Sequence, residues 1–426
     1  MTDLKGTLAK ISQEQSQSTA LTVIDSQSLE VQTVPKISID DRELQYTLAQ
    51  LSRVVKLSKL SPKQKIYFTA TNNNVKIFVY GARFNVCRSI KAHGTCHDVN
   101  FALTFKAAAM IEKSLAQLIY NNKFTTTTFE YAKDVATVRF ARGLSFDFAT
   151  LWGMDGFVDD TLDALSSTIV LAQNELKTLL NSTLYAVNDK GFSHPIFNTV
   201  NIKFADGSLT LTATDGNQLA TATTDKVCGD EFTCNIFGDA LKFILPLLNG
   251  DDDVTITTTE HRSKFAFGEW LIVACNYTDA KFPDCSNILS EDTPVTAVIE
   301  NSGWGTGREH LIETIKLIAQ VADENGAIEL IFSQGDLTIQ SAREKIGSAR
   351  RSLEALTFGV ENGTARGKFN AKYLLNMLSH AEDTNVEFSL SEKAISIRTD
   401  NTTAVSLALK NSVELPKSKL VLANVA

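Results

Sequence analysis

Few residues of this chain stand at spacings suited to covalent or metal chemistry. Cys87, Cys96 and His97 are close enough in sequence to share an ion, but the gap between the two cysteines fits no common zinc spacing, so they read as separate strand and loop residues. Cys228 and Cys234 have no neighbouring histidine. The acidic run Asp251–Asp253 follows Asn249-Gly250 and lacks the further oxygen ligands of a calcium loop; it reads as a solvated turn between helix and strand. There is no glycine-rich loop ending in Lys-Ser/Thr to cradle phosphate, and no dinucleotide fingerprint. No Ser/His/Asp order can be picked out among the six histidines. Neither an enzyme nor a bound cofactor or metal is expected. A protein that works through its shape is.

The elements that would build that shape are written three times. Lys65–Gly81 (KIYFTATNNNVKIFVYG), Asn201–Gly216 (NIKFADGSLTLTATDG) and Ile328–Ser341 (IELIFSQGDLTIQS) are each an alternating apolar run, a polar turn and a second alternating run. Second pairs follow at Thr127–Phe140, Asp253–Phe267 and Asn385–Ile397. An amphipathic helical pattern precedes each first pair: one capped by Asp40 or Asp41 and running to Leu57, then Gln173–Val187, then Arg308–Ala322. Another precedes each second pair: Leu103–Leu118, Ile236–Leu248 and Phe369–Ala381, with Pro246 set to end or bend the middle one. A period of roughly 130 residues is too long for a solenoid repeat and fits a small domain copied in tandem. The expected class is α+β, with antiparallel sheets covered on one face by helices.

Bulk properties narrow the class further. The 426 residues are 43% hydrophobic and 21% charged, ordinary values for a globular chain with several cores. No stretch approaches the ~20 apolar residues of a membrane span, and the N-terminus lacks the order of a secretory signal. Six scattered cysteines suggest reduced thiols in a cytoplasmic protein. The net charge of −8 argues against a dominating basic surface, though not against a basic stripe on one face.

Within the middle repeat, three segments occur in order: His194-Pro195-Ile196-Phe197, Thr214-Asp215-Gly216-Asn217-Gln218-Leu219-Ala220 and Phe282-Pro283-Asp284-Cys285. Together they resemble the middle domain of the bacterial replicative sliding clamp, the beta subunit of DNA polymerase III. That family shows an Arg-Pro-Ile-Leu-like, a Thr-Asp-Gly-His-Arg-Leu-Ala and a Phe-Pro-Asp-Tyr-like segment at this spacing. Asn217-Gln218 in place of His-Arg, and Cys285 in place of the aromatic, mark a divergent member such as a phage or mobile element would encode. The expected organisation is a flexible arm (1–36), three clamp domains (37–166, 167–291 and 292–411) and a tail (412–426), with sheets outside and two helices per domain inside.

The resemblance implies a head-to-tail homodimer. Its six domains would close a ring around double-stranded DNA, without sequence preference, and tether a DNA polymerase, with a clamp loader as a further partner. Lumen-facing candidates are Arg42, Arg53, Lys56, Lys106, Lys113, Lys177, Lys242, Arg308, Lys316 and Lys372. A partner-peptide pocket is expected at Phe197, Thr214, Gly216, Leu219, Pro283 and Ile288, with Leu407 and Leu409 from the last strand. That strand lacks the family's Met and Pro, and the tail beyond it is expected to shield or fill the pocket. The ring seam is expected to join Phe146 and Phe148 on an edge strand to Gln320 and Val321 of the third domain. A clamp-like scaffold that does not encircle DNA is the alternative, favoured by the polar arm and the tail.

Overall fold

The computed structural model describes residues 34–416 apart from 59–63, 95, 120–124, 142, 152–165, 189–193, 290–291, 302–305, 362, 382–384, 400 and 410–411. Most of the arm and residues 417–426 of the tail therefore lie outside the described residues. Within them, a unit of eight strands and two helices occurs three times. The first comprises β1 (Lys36–Asp40), α1 (Asp41–Leu57), β2 (Lys65–Thr71), β3 (Asn74–Tyr80), β4 (Phe84–Lys91), β5 (Val99–Thr104), α2 (Phe105–Leu118), β6 (Thr126–Ala132), β7 (Val135–Arg139) and β8 (Ser145–Ala149). The second comprises β9 (Ser167–Ala172), α3 (Gln173–Thr183), β10 (Thr199–Ala205), β11 (Ser208–Thr214), β12 (Gln218–Thr224), β13 (Phe232–Phe237), α4 (Gly238–Ile244), β14 (Asp253–Thr258), β15 (Arg262–Phe267) and β16 (Trp270–Cys275). The third comprises β17 (Val295–Ile299), α5 (Gly307–Ile318), β18 (Ala327–Ser333), β19 (Asp336–Arg343), β20 (Gly347–Glu354), β21 (Ala365–Asn370), α6 (Ala371–His380), β22 (Val386–Leu390), β23 (Ala394–Arg398) and β24 (Thr402–Leu407).

Local chemistry sets most of these limits. The Asp40 carboxylate accepts from the amides of Arg42 and Glu43, both at 3.0 Å, and so starts α1. Thr306 and Glu309 form a reciprocal capping box at α5. The second helices are shorter than their apolar periodicity suggests. Ile236 and Phe237 pair with Val200 and Thr199 in the sheet, so the helix there begins only at Gly238, and it tightens to a 3-10 turn at Leu245–Leu247, around Pro246. Periodicity alone also missed the third strand of each run, because β4, β12 and β20 are nearly apolar, small-residue or basic rather than alternating.

The strands join into four antiparallel sheets. One runs Cys228–Gly229, β9, β14, β15, β16, β4, β3, β2, β5; another runs β13, β10, β11, β12, β24, β23, β22, β17, Leu356–Phe358. Each of these is continuous across two units. The other two have only four strands, β1-β6-β7-β8 and β20-β19-β18-β21. The cores of the first and second units merge, while the third has its own.

The two joins share one register. Each first hairpin has a two-residue turn, and positive φ at Asn72-Asn73 and Asp206-Gly207 lets the chain reverse with the right-handed twist of its strands. Ile77, Leu211 and Ile339 each lie three residues past the pair that closes this turn, and they pair with Arg88, Ala222 and Arg351 on the third strand. By the same count Val138, Phe265 and Ile397 correspond, and they pair with Phe146, Ile272 and Ala404 on the last strand. At the joins Ile272 faces Val86 and Ala404 faces Ala220, two positions equivalent in the repeat.

Candidate functional site: an outer pocket and two open edges

The join of β12 and β24 has two different faces. Gln218 points to the helix side, where its amide donates to the Tyr185 carbonyl (3.3 Å) and accepts from Asn376 of α6 (3.3 Å). Alternation puts its neighbour Leu219, paired with Val405, on the opposite, outer face. There Leu219, Ala394 and Val405 form a small apolar cluster separate from the main cores, flanked by Cys285, Ile288, Leu289 and Leu407.

This cluster floors a cavity of about 170 Å³. Seven of the eight pocket residues named from sequence line it: Phe197, Thr214, Gly216, Leu219, Pro283, Ile288 and Leu407. Their placement follows from local structure. The Thr214 hydroxyl donates to the Gln218 carbonyl (2.7 Å) and accepts from the Gly216 amide (3.1 Å), while Asp215 accepts from the Asn217 and Gln218 amides, both at 2.9 Å. Gly216 adopts φ +87°, open only at a strain to other residues, beneath the Phe197 ring. Asp284 accepts from the Ser286 amide (2.9 Å) and starts the short helix Ser286–Leu289 that presents Ile288. Hydrogen bonds from Ser286 hold the Asp284 carboxyl below the usual range. Burial, with the Asp284 charge adding, raises the Cys285 thiol, so this wall of the cavity stays protonated and apolar at neutral pH.

Leu409 is a correction. The last strand ends at Leu407, and the Leu409 amide donates to the Lys368 carbonyl at 2.8 Å, so the chain leaves the pocket and crosses to β21. The wall residues from β24 are therefore Val405 and Leu407; alternation counted inward from Leu407 rather than outward would have found Val405. The tail is corrected with it. Arg366 and Glu414 exchange backbone hydrogen bonds (2.9 and 2.8 Å) and an ion pair (2.6 Å), so residues 412–416 cover the edge of β21, not the pocket.

The helices expose Arg42, Lys56, Lys106, Lys113, Lys316 and Lys372. Three other lumen candidates are engaged elsewhere. Arg53 donates to Gln50 (2.7 Å) and to the Lys242 carbonyl (3.3 Å), and lies 5.5 Å from the Phe243 ring centre, tying α1 to α4; burial lowers its pKa. Arg308 donates to the Ala381 carbonyl at the end of α6, and Lys177 to Asn249 (3.0 Å). Lys242 is half-buried.

β8 and β20 each lack a neighbour on one side among the described residues. Phe146 and Phe148 are half-buried on the core face of β8, with Phe146 edge-on to Phe140 at 5.8 Å. Gln320 and Val321 sit in the 3-10 turn ending α5, which packs against β19 and β20. Cys87 and Cys96, weighed above as metal ligands, are separate free thiols, and burial pushes Cys87 up to about 12.

The three-unit fold with continuous sheets and inward helices defines a protein of the DNA-clamp class. It superposes on a DNA polymerase III subunit beta from Pseudomonas aeruginosa with a TM-score of 0.76 at 19% identity, over 88% of this chain and 99% of that one. A Bacillus subtilis sliding clamp gives 0.76 at 18%, over 89% and 100%. In sequence, residues 304–411 match the C-terminal domain of the DNA polymerase III beta subunit. Beta sliding clamps of Chlamydia muridarum and Staphylococcus aureus (strain Mu50) are 26% identical over 253 residues and 24% over 224. These matches take in 58% and 51% of this chain and 62% and 56% of the relatives, so the chain spans less than two thirds of the curated relatives it matches. The chain is a divergent member of the DNA polymerase III beta-subunit family.

Proposed function

We propose that two copies of the chain close head to tail into a ring around duplex DNA and hold a polymerase and other replication partners through the outer pocket. One observation carries this reading: the only four-stranded sheets among the described residues end in β8 and β20, the counterparts of the strands that pair at both internal joins. Pairing β8 of one copy with β20 of the next satisfies both open edges and repeats the internal geometry, as a closing heterologous contact does. Topological linkage needs no tight grip, so an acidic chain with scattered lysines on its helices suits sliding on phosphates. The pocket opens on the face away from the helices, which lets a partner dock while DNA is enclosed, and its size suits one or two apolar side chains of a short peptide.

The test is retention on DNA. Loaded protein should stay on closed circles through a salt wash and be lost when the circle is cut; equal loss from both forms refutes encirclement and favours the scaffold. Phe146→Asp with Phe148→Asp should give folded monomer. Leu219→Asp should leave dimer intact and weaken a polymerase-derived apolar peptide at least about tenfold, one buried contact's worth.

A further inference from the structure

The first internal join carries a latch that the seam has only in part. Arg88 of β4, 7% exposed, lies across from Trp270 of β16. Its guanidinium donates to Thr47 (2.7 Å), Glu43 (2.5 Å) and Glu269 (2.8 Å), and sits 4.9 and 5.2 Å from the ring centres of Tyr46 and Trp270. The repeat count places Arg351 of β20 at the Arg88 position. Counting from the N-caps Asp40 and Thr306 places Glu313 at the Thr47 position, and Arg351 does reach Glu313, at 3.9 Å. Arg351 is 44% exposed, with no strand across from it among the described residues.

We infer that ring closure sets Leu144 of one copy opposite Arg351 of the next, with Phe146 opposite Ala349 and Phe148 opposite Gly347, and that Arg351 is a positioning residue that reads this register. The inference rests on the ring reading and goes beyond it by fixing the pairing and the residue that senses it. Size matching supports the register: both phenylalanines meet small residues, and a Cβ built on Gly347 would touch nothing within 4 Å. Charge supports it too, because Ser145 then faces Arg350, leaving Asp147 diagonal to that guanidinium, within reach of a long side chain. Leu144 occupies the place of Trp270, so the seam holds the arginine without its aromatic lid. That makes it the weaker of the two arginine-bearing joins and the natural place to open.

Two measurements separate this from the ring reading. Oxidised Ser145→Cys/Arg350→Cys should give an intersubunit disulfide absent from the parent chain, since facing residues bring their Cα atoms within disulfide range; Ser145→Cys/Ser348→Cys should not. A cross-link only in the shifted pair overturns the register, and none in either overturns the seam and the ring together. Leu144→Trp should then tighten the dimer about two- to fivefold by sedimentation, the worth of a partly exposed cation–π contact. Arg351→Ala should abolish that gain. A gain that survives Arg351→Ala, or no gain at all, overturns the role of Arg351 while the cross-link keeps the ring.

Discussion

The joins β16–β4 and β12–β24 have the same strand order, direction and register, yet different chemistry. The first is welded by a caged arginine, by Phe84 against Phe243 at 5.5 Å and by Arg83 lying 4.2 Å over Phe237. The second has Ala222 facing Thr402 where the first has Arg88 and Trp270, and relies on Gln218, Asn376 and a Tyr185–His380 stack at 4.5 Å. Backbone pairing fixes how the units meet, and side chains then decide what each meeting is for. At the second join Leu219 and Val405 meet in the place of Asn85 and Val273, and their outer face opens into the pocket. A join that must present a groove keeps its bulky groups off the sheet surface; one with no groove can fill its helix side with rings.

That contrast can be broken. Arg88→Ala should cost about 3 kcal/mol, the low end for removing one partner of a buried ion pair because both glutamates are half-exposed. Denaturant unfolding followed by Trp270 fluorescence reads it, and a loss below about 1 kcal/mol, the worth of an exposed pair, would mean the cage is ornamental. Gln218→Ala at the other join should cost about 1 kcal/mol, since its hydrogen bonds are long and its partners have alternatives. If the two losses were equal, the joins would not differ in strength as their chemistry suggests.

The smallest effect is a pH slope. Asp239 starts α4 and faces Arg83 across the first join at 3.5 Å; burial raises its pKa, outweighing Arg83 and the Ala240 amide. A carboxyl whose folded pKa lies above its unfolded one binds more protons when folded, so its contribution is fully present below the unfolded pKa and falls as pH rises through the folded one. Asp239→Asn should flatten that descending slope in mildly acidic solution. Glu309, whose carboxyl is held low by the Thr306 amide, slopes the other way: its contribution is present above the unfolded pKa and lost as pH falls through the folded one. Matching slopes in the Asp239→Asn and Glu309→Gln variants would count against this assignment.

Much of the architecture was legible from residue order, because it depends on neighbours in the chain. Two-residue turns, the Asp40 cap, the break at Pro246 and the threefold repetition are local, and so are the Thr214–Ala220 and Phe282–Cys285 segments whose own hydrogen bonds shape the pocket walls. Leu409 was misplaced because strand alternation says nothing about where a strand stops; the Lys368 carbonyl, some forty residues away in sequence, decides that. Arg53, Arg308 and Lys177 look like any solvated helix cation until a distant carbonyl or amide oxygen comes within reach. Arg88 gave no signal at all, since its cage is drawn from α1, β4 and the turn after β15, elements up to nearly two hundred residues apart. Residue order alone therefore settles the units, their helices and turns, and the composition of the pocket. Which edges pair and which stay open is settled by the fold as a whole, because a strand's hydrogen-bonding groups are the same whatever its side chains, and their partners are chosen by packing across the entire chain.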